Sequence, residues 1–244
     1  MALSAPAAAA DYWPFFNLRI TTPRLELRGP TDDDAAEIAA LAATGIHPPD
    51  FMPFSTPWSD VPPPQQQVKT LQHYWQARST LAPEAWTLNF AVVDDGRIVG
   101  VQDLMSNGDF RVTGAASTGS WVGQAHQGRG IGKEMRAAVL HLAFAGLSAD
   151  VAFSGAFVDN PASIAVSRSL GYIDDGYEVH SRRGEAARQL RFRLERAVWE
   201  PRQRHDIVVS GLAPCLPLLG LGGAEGPQPR PTPPRTPHLP PPHR

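Results

Sequence analysis

Seven stretches read as strands: Asn17–Arg28, where apolar and polar residues alternate, and the β-rich runs Trp86–Val93, Arg97–Met105, Thr118–Val122, Val151–Val158, Tyr172–His180 and Ala187–Leu194. Asp94-Asp95-Gly96 and Arg182-Arg183-Gly184-Glu185 are turns that close two hairpins, and Pro23 interrupts the first strand. Other stretches repeat every three to four residues and predict helices. Thr31 caps one whose first turn carries Asp32, Asp33 and Asp34, with Ile38 and Leu41 on its buried face; acids there complement the helix dipole, and this is preferred to a metal site. Gln65–Ser79 is a second, with Val68, Leu71, Tyr74 and Trp75 as its apolar members. A third runs from Ile131 to about Gly146, burying Ile131, Met135, Ala138, Val139, Leu142 and Ala143. Asn160 caps a fourth, with Pro161 at its first position and its end at Gly171. The third helix must carry the chain back between the fourth and fifth strands, so those two are parallel.

What lies between and beyond these elements divides the chain. Residues 1–16 form an arm whose Tyr12, Trp13, Phe15 and Phe16 are too apolar to stay in water. Residues 17–200 form the domain. His47–Trp58 is a proline-stiffened loop rich in Phe, Met and Trp, and Asn107–Ser117 is a polar connection. Residues 201–222 are an extension packed on the domain, in which Ile207-Val208-Val209 suits one more edge strand. Residues 223–244 are too rich in proline to bury a core and are expected to be disordered.

Composition narrows the function classes. A net charge of −2 gives no basic footprint for nucleic acid, and no stretch approaches the ~18 apolar residues of a membrane span. Cys215 is the single cysteine, so a reducing, cytoplasmic setting is expected. The first ten residues lack the basic and apolar regions of a signal peptide.

The stretch Ser120–Met135 concentrates the chemistry. A short apolar run breaks at Gly123, turns through Gly128, Gly130 and Gly132, and enters the third helix. Strand, glycine turn and helix start are the parts of an anion cradle: glycine lets the main chain approach a phosphate, and the unpaired N–H groups of the first helical turn face it. A dinucleotide fold wants G-x-G-x-x-G near the chain start, and a Walker loop wants a hydroxyl after its lysine. Here the glycines run G-x-G-x-G in mid-chain, and Glu134 follows Lys133.

The loop instead resembles the pyrophosphate loop of the GNAT superfamily of acyl-CoA N-acyltransferases, [QR]-x-x-G-x-[GA], through Gln127, Gly130 and Gly132. Asn160 to Tyr172 is similar to that family's later block, N-x-x-S…L-G-[FY]. Thr22-Pro-Arg-Leu-Glu-Leu-Arg28 and Ser163 bring the likeness closest to the ribosomal-protein-acetyltransferase (RimJ/RimL) branch, over roughly residues 17 to 200. The resemblance implies an α/β fold: a mixed, mostly antiparallel seven-stranded sheet, splayed between its fourth and fifth strands, with helices on both faces. It implies acetyl-CoA as cosubstrate, no metal, and direct attack by a primary amine in a ternary complex.

By the same likeness, Gln127, Gly128, Arg129, Gly130, Ile131, Gly132, Lys133, Asn160 and Ser163 hold the cofactor. An amide at or next to Val122 meets both the cofactor and the thioester oxygen. Asn160 also has a plain reading as a helix cap. Phe51, Phe54 and Trp58 would wall the acceptor site, or else form a satellite core beneath the loop. Many family members place a tyrosine acid where this chain has Ser167; the branch resemblance implies a serine that relays the proton through water, against a plain reading as a helix residue, and the branch's glutamate falls on Ser117 and Thr118. Asp103, at the end of the third strand, is then the leading base, with His126 and Asp109 behind it. The acceptor is a peptide or protein N-terminal α-amine or a lysine. The alternatives are a small-molecule amine such as a polyamine or aminoglycoside, and a non-catalytic acyl-CoA sensor. A homodimer stays open.

Overall fold

The computed structural model describes residues 8–222. The proline-rich stretch 223–244 and the first seven residues lie outside them. The helices are α1 (Ala9–Tyr12), α2 (Asp32–Ala43), α3 (Gln65–Ser79), α4 (Phe110–Thr113), α5 (Ile131–His141), α6 (Pro161–Ser169) and α7 (Arg196–Trp199). The strands are β1 (Arg19–Thr21), β2 (Leu25–Arg28), β3 (Thr87–Asp94), β4 (Arg97–Ser106), β5 (Ala115–Val122), β6 (Val151–Phe157), β7 (Ile173–Arg182), β8 (Glu185–Glu195) and β9 (Val208–Ser210).

These form one sheet in the order β7-β8-β6-β5-β4-β3-β2-β1-β9. Only β5 and β6 run parallel among the described strands. The sheet has nine strands against the expected seven, for two local reasons. Pro23 has no N–H to give a ladder, so the first stretch divides into β1 and β2, which pair with Ile20 opposite Leu27. Val208–Ser210 then adds β9 to the free edge of β1.

The sheet separates two cores. On one side α5 lays Ile131, Met135, Ala138 and Val139 against Leu27, Phe90, Val92 and Leu104. Burying side chains of this size is worth about 1.5–3 kcal/mol each, so α5 and its preceding loop are firmly seated. On the other side α2 and α3 enclose Ala35, Ile38, Tyr74, Ala91 and Val101. The acids that open α2 do helix-start work: Thr31 Oγ1 accepts from the Asp34 amide at 3.1 Å, the Asp34 carboxylate accepts from the Thr31 amide at 3.0 Å, and Asp32 pairs with Arg78. The N-terminal arm packs by Phe15, which is buried, and Trp13, while Arg78 covers the Phe16 ring at 5.3 Å.

Three local expectations change. α3 buries Gln66, Thr70 and Tyr74, leaving Val68 and Trp75 about half exposed; Trp75 turns out to donate to Asp32. The connection 107–117 holds α4, whose Phe110 is fully buried beside Trp86 at 5.3 Å, and β5 begins at Ala115 rather than Thr118. The helix opened by Ile131 is α-helical to His141 and continues as a π-turn over Leu142–Gly146.

Candidate active site

β5 and β6 pair only over Ala115–Ser117 and Val151–Phe153. Beyond Ser117 the strands part, β5 continuing to Val122 beside β4 and β6 to Phe157 beside β8. The last contact at the fork is Thr118 Oγ1 donating to Phe153 O at 3.4 Å. Gly123 N–H donates to Val99 O at 3.0 Å, which sets the alternation of the β4–β5 ladder. Ser120 and Val122 are out of phase with that bond, so their N–H and C=O groups turn away from β4 and into the fork. Gly100 brings β4 close here: a Cβ at that position would stand 2.5 Å from Trp121 O.

The loop after β5 is shaped by Gln127, whose Nε2 donates to Val122 O at 2.8 Å and to Ile46 O at 2.7 Å. Both amide hydrogens are thereby used, so its side chain ties the turn to β5 and to the loop overhead instead of reaching for a ligand. Gly128 and Gly130 have φ of 73° and 80°, a region that side chains disfavour, and open space lies where a Cβ would be. Gly130 caps α5 without a side-chain bond. The amides of Gly128, Arg129, Gly130, Ile131 and Gly132 donate to no other described group, and the first bonds into the helix come from Lys133 and Glu134. An uncapped helix start with several free amides is an anion site in waiting.

Fork and cradle open into one cavity of about 730 Å³. Val122, Gln127, Gly128, Gly130, Ile131, Gly132, Lys133, Asn160 and Ser163 all line it. Asn160 Oδ1 accepts from the Ser163 amide at 3.1 Å, so it does cap α6. The other wall is apolar, built from Ile46, Pro48, Phe51, Pro53, Phe54 and Trp121. Rings continue behind it, Phe54 against Trp58 at 5.3 Å and Trp58 against Trp121 at 6.1 Å. The β7–β8 hairpin straps this wall down: Arg182 donates to Met52 O at 3.1 Å and pairs with Asp159, and Arg183 pairs with Asp60. Lys133 and Arg136 are the cations on the cavity surface, and no aspartate or glutamate lines it.

Some expected site residues lie elsewhere. Arg129 points out of the cavity towards Asp94 at 3.6 Å, half exposed, because φ > 0 on both flanking glycines turns it to the outside. Ser167 is fully buried behind the wall; its hydroxyl donates to Ser163 O at 3.2 Å and accepts from Arg136 at 3.0 Å, so it is no proton donor to the cavity. Asp103 sits on the α3 face of β4, opposite Gly119. Asn89 Nδ2 donates to its Oδ1 at 2.7 Å, and burial pushes its carboxyl up to about 6. Gly119 lines the cavity and has no side chain to interpose, so the carboxylate lies one residue's width from the space. His126 lines the cavity, whereas Asp109 caps α4, pairs with Arg111 and is not among the lining residues.

Arg136 was not expected. It projects from α5 between Met135 and Ala138, is 5% exposed, and reaches the floor of the fork. Its Nη1 donates to Ser154 at 2.9 Å and Ser167 at 3.0 Å, and its Nη2 to Ser120 at 3.1 Å. An arginine inside a helix's apolar stripe was the available signal.

A splayed sheet, an uncapped glycine turn and a cavity joining them define an acyl-CoA acyltransferase. The acetyltransferase (GNAT) domain model matches residues 24–173, and the chain belongs to that family of acetyl-CoA-dependent N-acetyltransferases. Solved structures share the fold at low identity. A Vibrio cholerae protein assigned as a ribosomal-protein-serine acetyltransferase is 23% identical, with 72% of this chain and 97% of that one covered and a TM-score of 0.56. RimL, a ribosomal α-N-protein acetyltransferase solved in complex with coenzyme A, is 19% identical over 71% and 95%, TM-score 0.58. The spermidine/spermine N-acetyltransferase SpeG from Vibrio cholerae is 17% identical over 74% and 99%, TM-score 0.56. No helix among the described residues is long and apolar enough to cross a membrane.

Proposed function

We propose that this enzyme acetylates a peptide or protein amine, an N-terminal α-amine or a lysine, by direct attack in a ternary complex. The carrying observation is the cavity wall: two cations, an aromatic and proline-rich side, and no carboxylate. Such a wall suits an anionic donor and an acceptor with apolar character. A polyamine or aminoglycoside needs several acidic groups to replace the water lost from its ammonium charges.

In this reading the amides of Gly128 to Gly132 and the Lys133 side chain hold the diphosphate. The pantetheine arm lies in the fork as a substitute strand, where Asn160 and Ser163 face it. The amide of Ser120 or Val122 donates to the thioester oxygen as it gains charge. The acceptor enters beneath Phe51 and Phe54. Asp103, its carboxyl lifted towards neutrality by burial, takes the ammonium proton by way of the gap left at Gly119, and the neutral amine attacks.

Release of coenzyme A thiol, followed over a panel of amines, tests this. Free-N-terminus peptides and lysine peptides should turn over well ahead of spermidine and aminoglycosides. Faster turnover of a polyamine would overturn the acceptor assignment, and tight acetyl-CoA binding with no acceptor used would replace it with a sensor.

A further inference from the structure

The cavity floor carries a charge that the protein does not neutralise. Arg136 is 5% exposed, yet its guanidinium hydrogen-bonds only to the hydroxyls of Ser120, Ser154 and Ser167, its Nε has no hydrogen-bond partner, and the titratable group beside it is the buried phenol of Tyr172, which burial keeps neutral. No carboxylate pairs with it among the described residues. Burial depresses its pKa, but an arginine keeps its proton and its charge. Removing a cation from water without a counter-ion costs several kcal/mol. Three serines and no acid are a poor structural bargain for this price, and a single methionine or leucine would fill the space without it. Uncompensated buried charge of this kind is retained where a ligand brings the opposite charge.

The position says which charge. Ser120 is on β5 and Ser154 on β6, so the guanidinium bridges the two strands where they separate, just beyond the last pairing at Ser117 and Phe153. A ligand arm that starts at the Gly128–Gly132 cradle and follows β5 inward passes Val122, then reaches Ser120 about 7 Å further on. One Nη2 hydrogen is spent on Ser120 and the other is uncommitted. The far end of the arm is where the thioester sulfur must lie.

We propose that Arg136 is the counter-charge for the leaving thiolate. This rests on the acetyl-CoA reading above. Asp103 passes the ammonium proton on to water before attack; the amine nitrogen then forms its bond to the thioester carbon, the C–S bond breaks with its electron pair going to sulfur, and the second nitrogen proton goes to the regenerated Asp103 carboxylate. The sulfur departs as an anion beside the guanidinium and needs no proton from Ser167, whose hydroxyl is already turned to Ser163 O. Arg136 therefore does by charge what a protonating acid would do by transfer.

The test is the acidity of coenzyme A thiol bound to the protein, read from the ultraviolet thiolate band during a pH titration. The background is favourable, because Cys215 is the single cysteine and burial pushes its thiol up to about 11; the protein alone, titrated in parallel, removes the tyrosine contribution. Bound thiol should be more acidic than free coenzyme A by about one pKa unit, a tenfold change. Arg136→Met should return it to the free value, and Arg136→Lys should keep part of the shift. A wild-type thiol no more acidic than free coenzyme A overturns the proposal, as does a shift that survives in Arg136→Met, which would belong to the helix end instead. Should Arg136→Met fail to fold, the comparison of wild type with free coenzyme A and with Arg136→Lys still decides. Failure of coenzyme A to bind the wild type would instead remove the donor-site reading itself.

Discussion

Gly130→Glu separates the cradle's chemistry from its fold. At φ 80° a side chain is strained by about 1–2 kcal/mol. No atom lies within 4 Å of the added Cβ, so no clash adds to this. For a domain of this size the strain lowers Tm by about 2–8 °C, and the protein should remain folded. Binding should suffer far more. The new carboxylate stands before amides that have no other partner, competing with the diphosphate and repelling it. Losing two charge-assisted hydrogen bonds at about 1.5–3 kcal/mol each weakens acetyl-CoA by roughly 10² to 10⁴ in Kd. Gly130→Ala is the control: the same strain, no charge, and affinity within about tenfold of wild type. Calorimetric titration with acetyl-CoA beside thermal unfolding reads both effects. Wild-type affinity in Gly130→Glu refutes the cradle, and an equal loss in Gly130→Ala means that loop shape, not anion binding, was measured.

Three further outcomes follow from the same geometry. Burial raises the Asp103 carboxyl to about 6, above its unfolded value near 3.9, so its stabilising contribution is present below the unfolded pKa and lost as pH rises through about 6. Asp103→Asn should therefore match wild type in Tm near pH 3.5 and exceed it at pH 8, while turnover falls by about 10² to 10⁴ and the acidic limb near pH 6 disappears; an unchanged pH–rate profile excludes Asp103 as base. Gly100→Ala places a Cβ 2.5 Å from Trp121 O, which should displace β5 and cost about 1–3 kcal/mol; denaturant unfolding at wild-type stability would contradict the close approach. Phe54→Ala opens the apolar wall and should raise KM for an apolar peptide about tenfold, roughly 1–2 kcal/mol, with KM for acetyl-CoA unchanged.

The parts legible in the chain were those written locally. Gly128 and Gly130 announce a strand-to-helix turn because φ > 0 needs glycine, and Asn160-Pro161 announces a helix start by its own hydrogen-bonding chemistry. Hidden parts depended on what the strands bring across the sheet. Val68 and Trp75 have the hydrophobicity of a core face, yet α3 turns Thr70 and Tyr74 inward because Tyr74 fills the space over Ala91 and Val101. Arg129 and Lys133 look equivalent as cations beside glycines, but only Lys133 faces the cavity. Ser167 falls at a family position for an acid, and its burial behind Arg136 is visible only once α5 and α6 are packed. Arg136 interrupts the apolar face of its helix, but what its charge meets is visible only once β5 and β6 are seen to part over it.

A crystal structure of the protein with coenzyme A tests the central claim most directly. The diphosphate should lie within hydrogen-bonding distance of the Gly128 to Gly132 amides, with the pantetheine arm between β5 and β6 and the sulfur beside Ser120 and Arg136. Coenzyme A bound outside the fork, or β5 and β6 paired along their whole length in the complex, would contradict it.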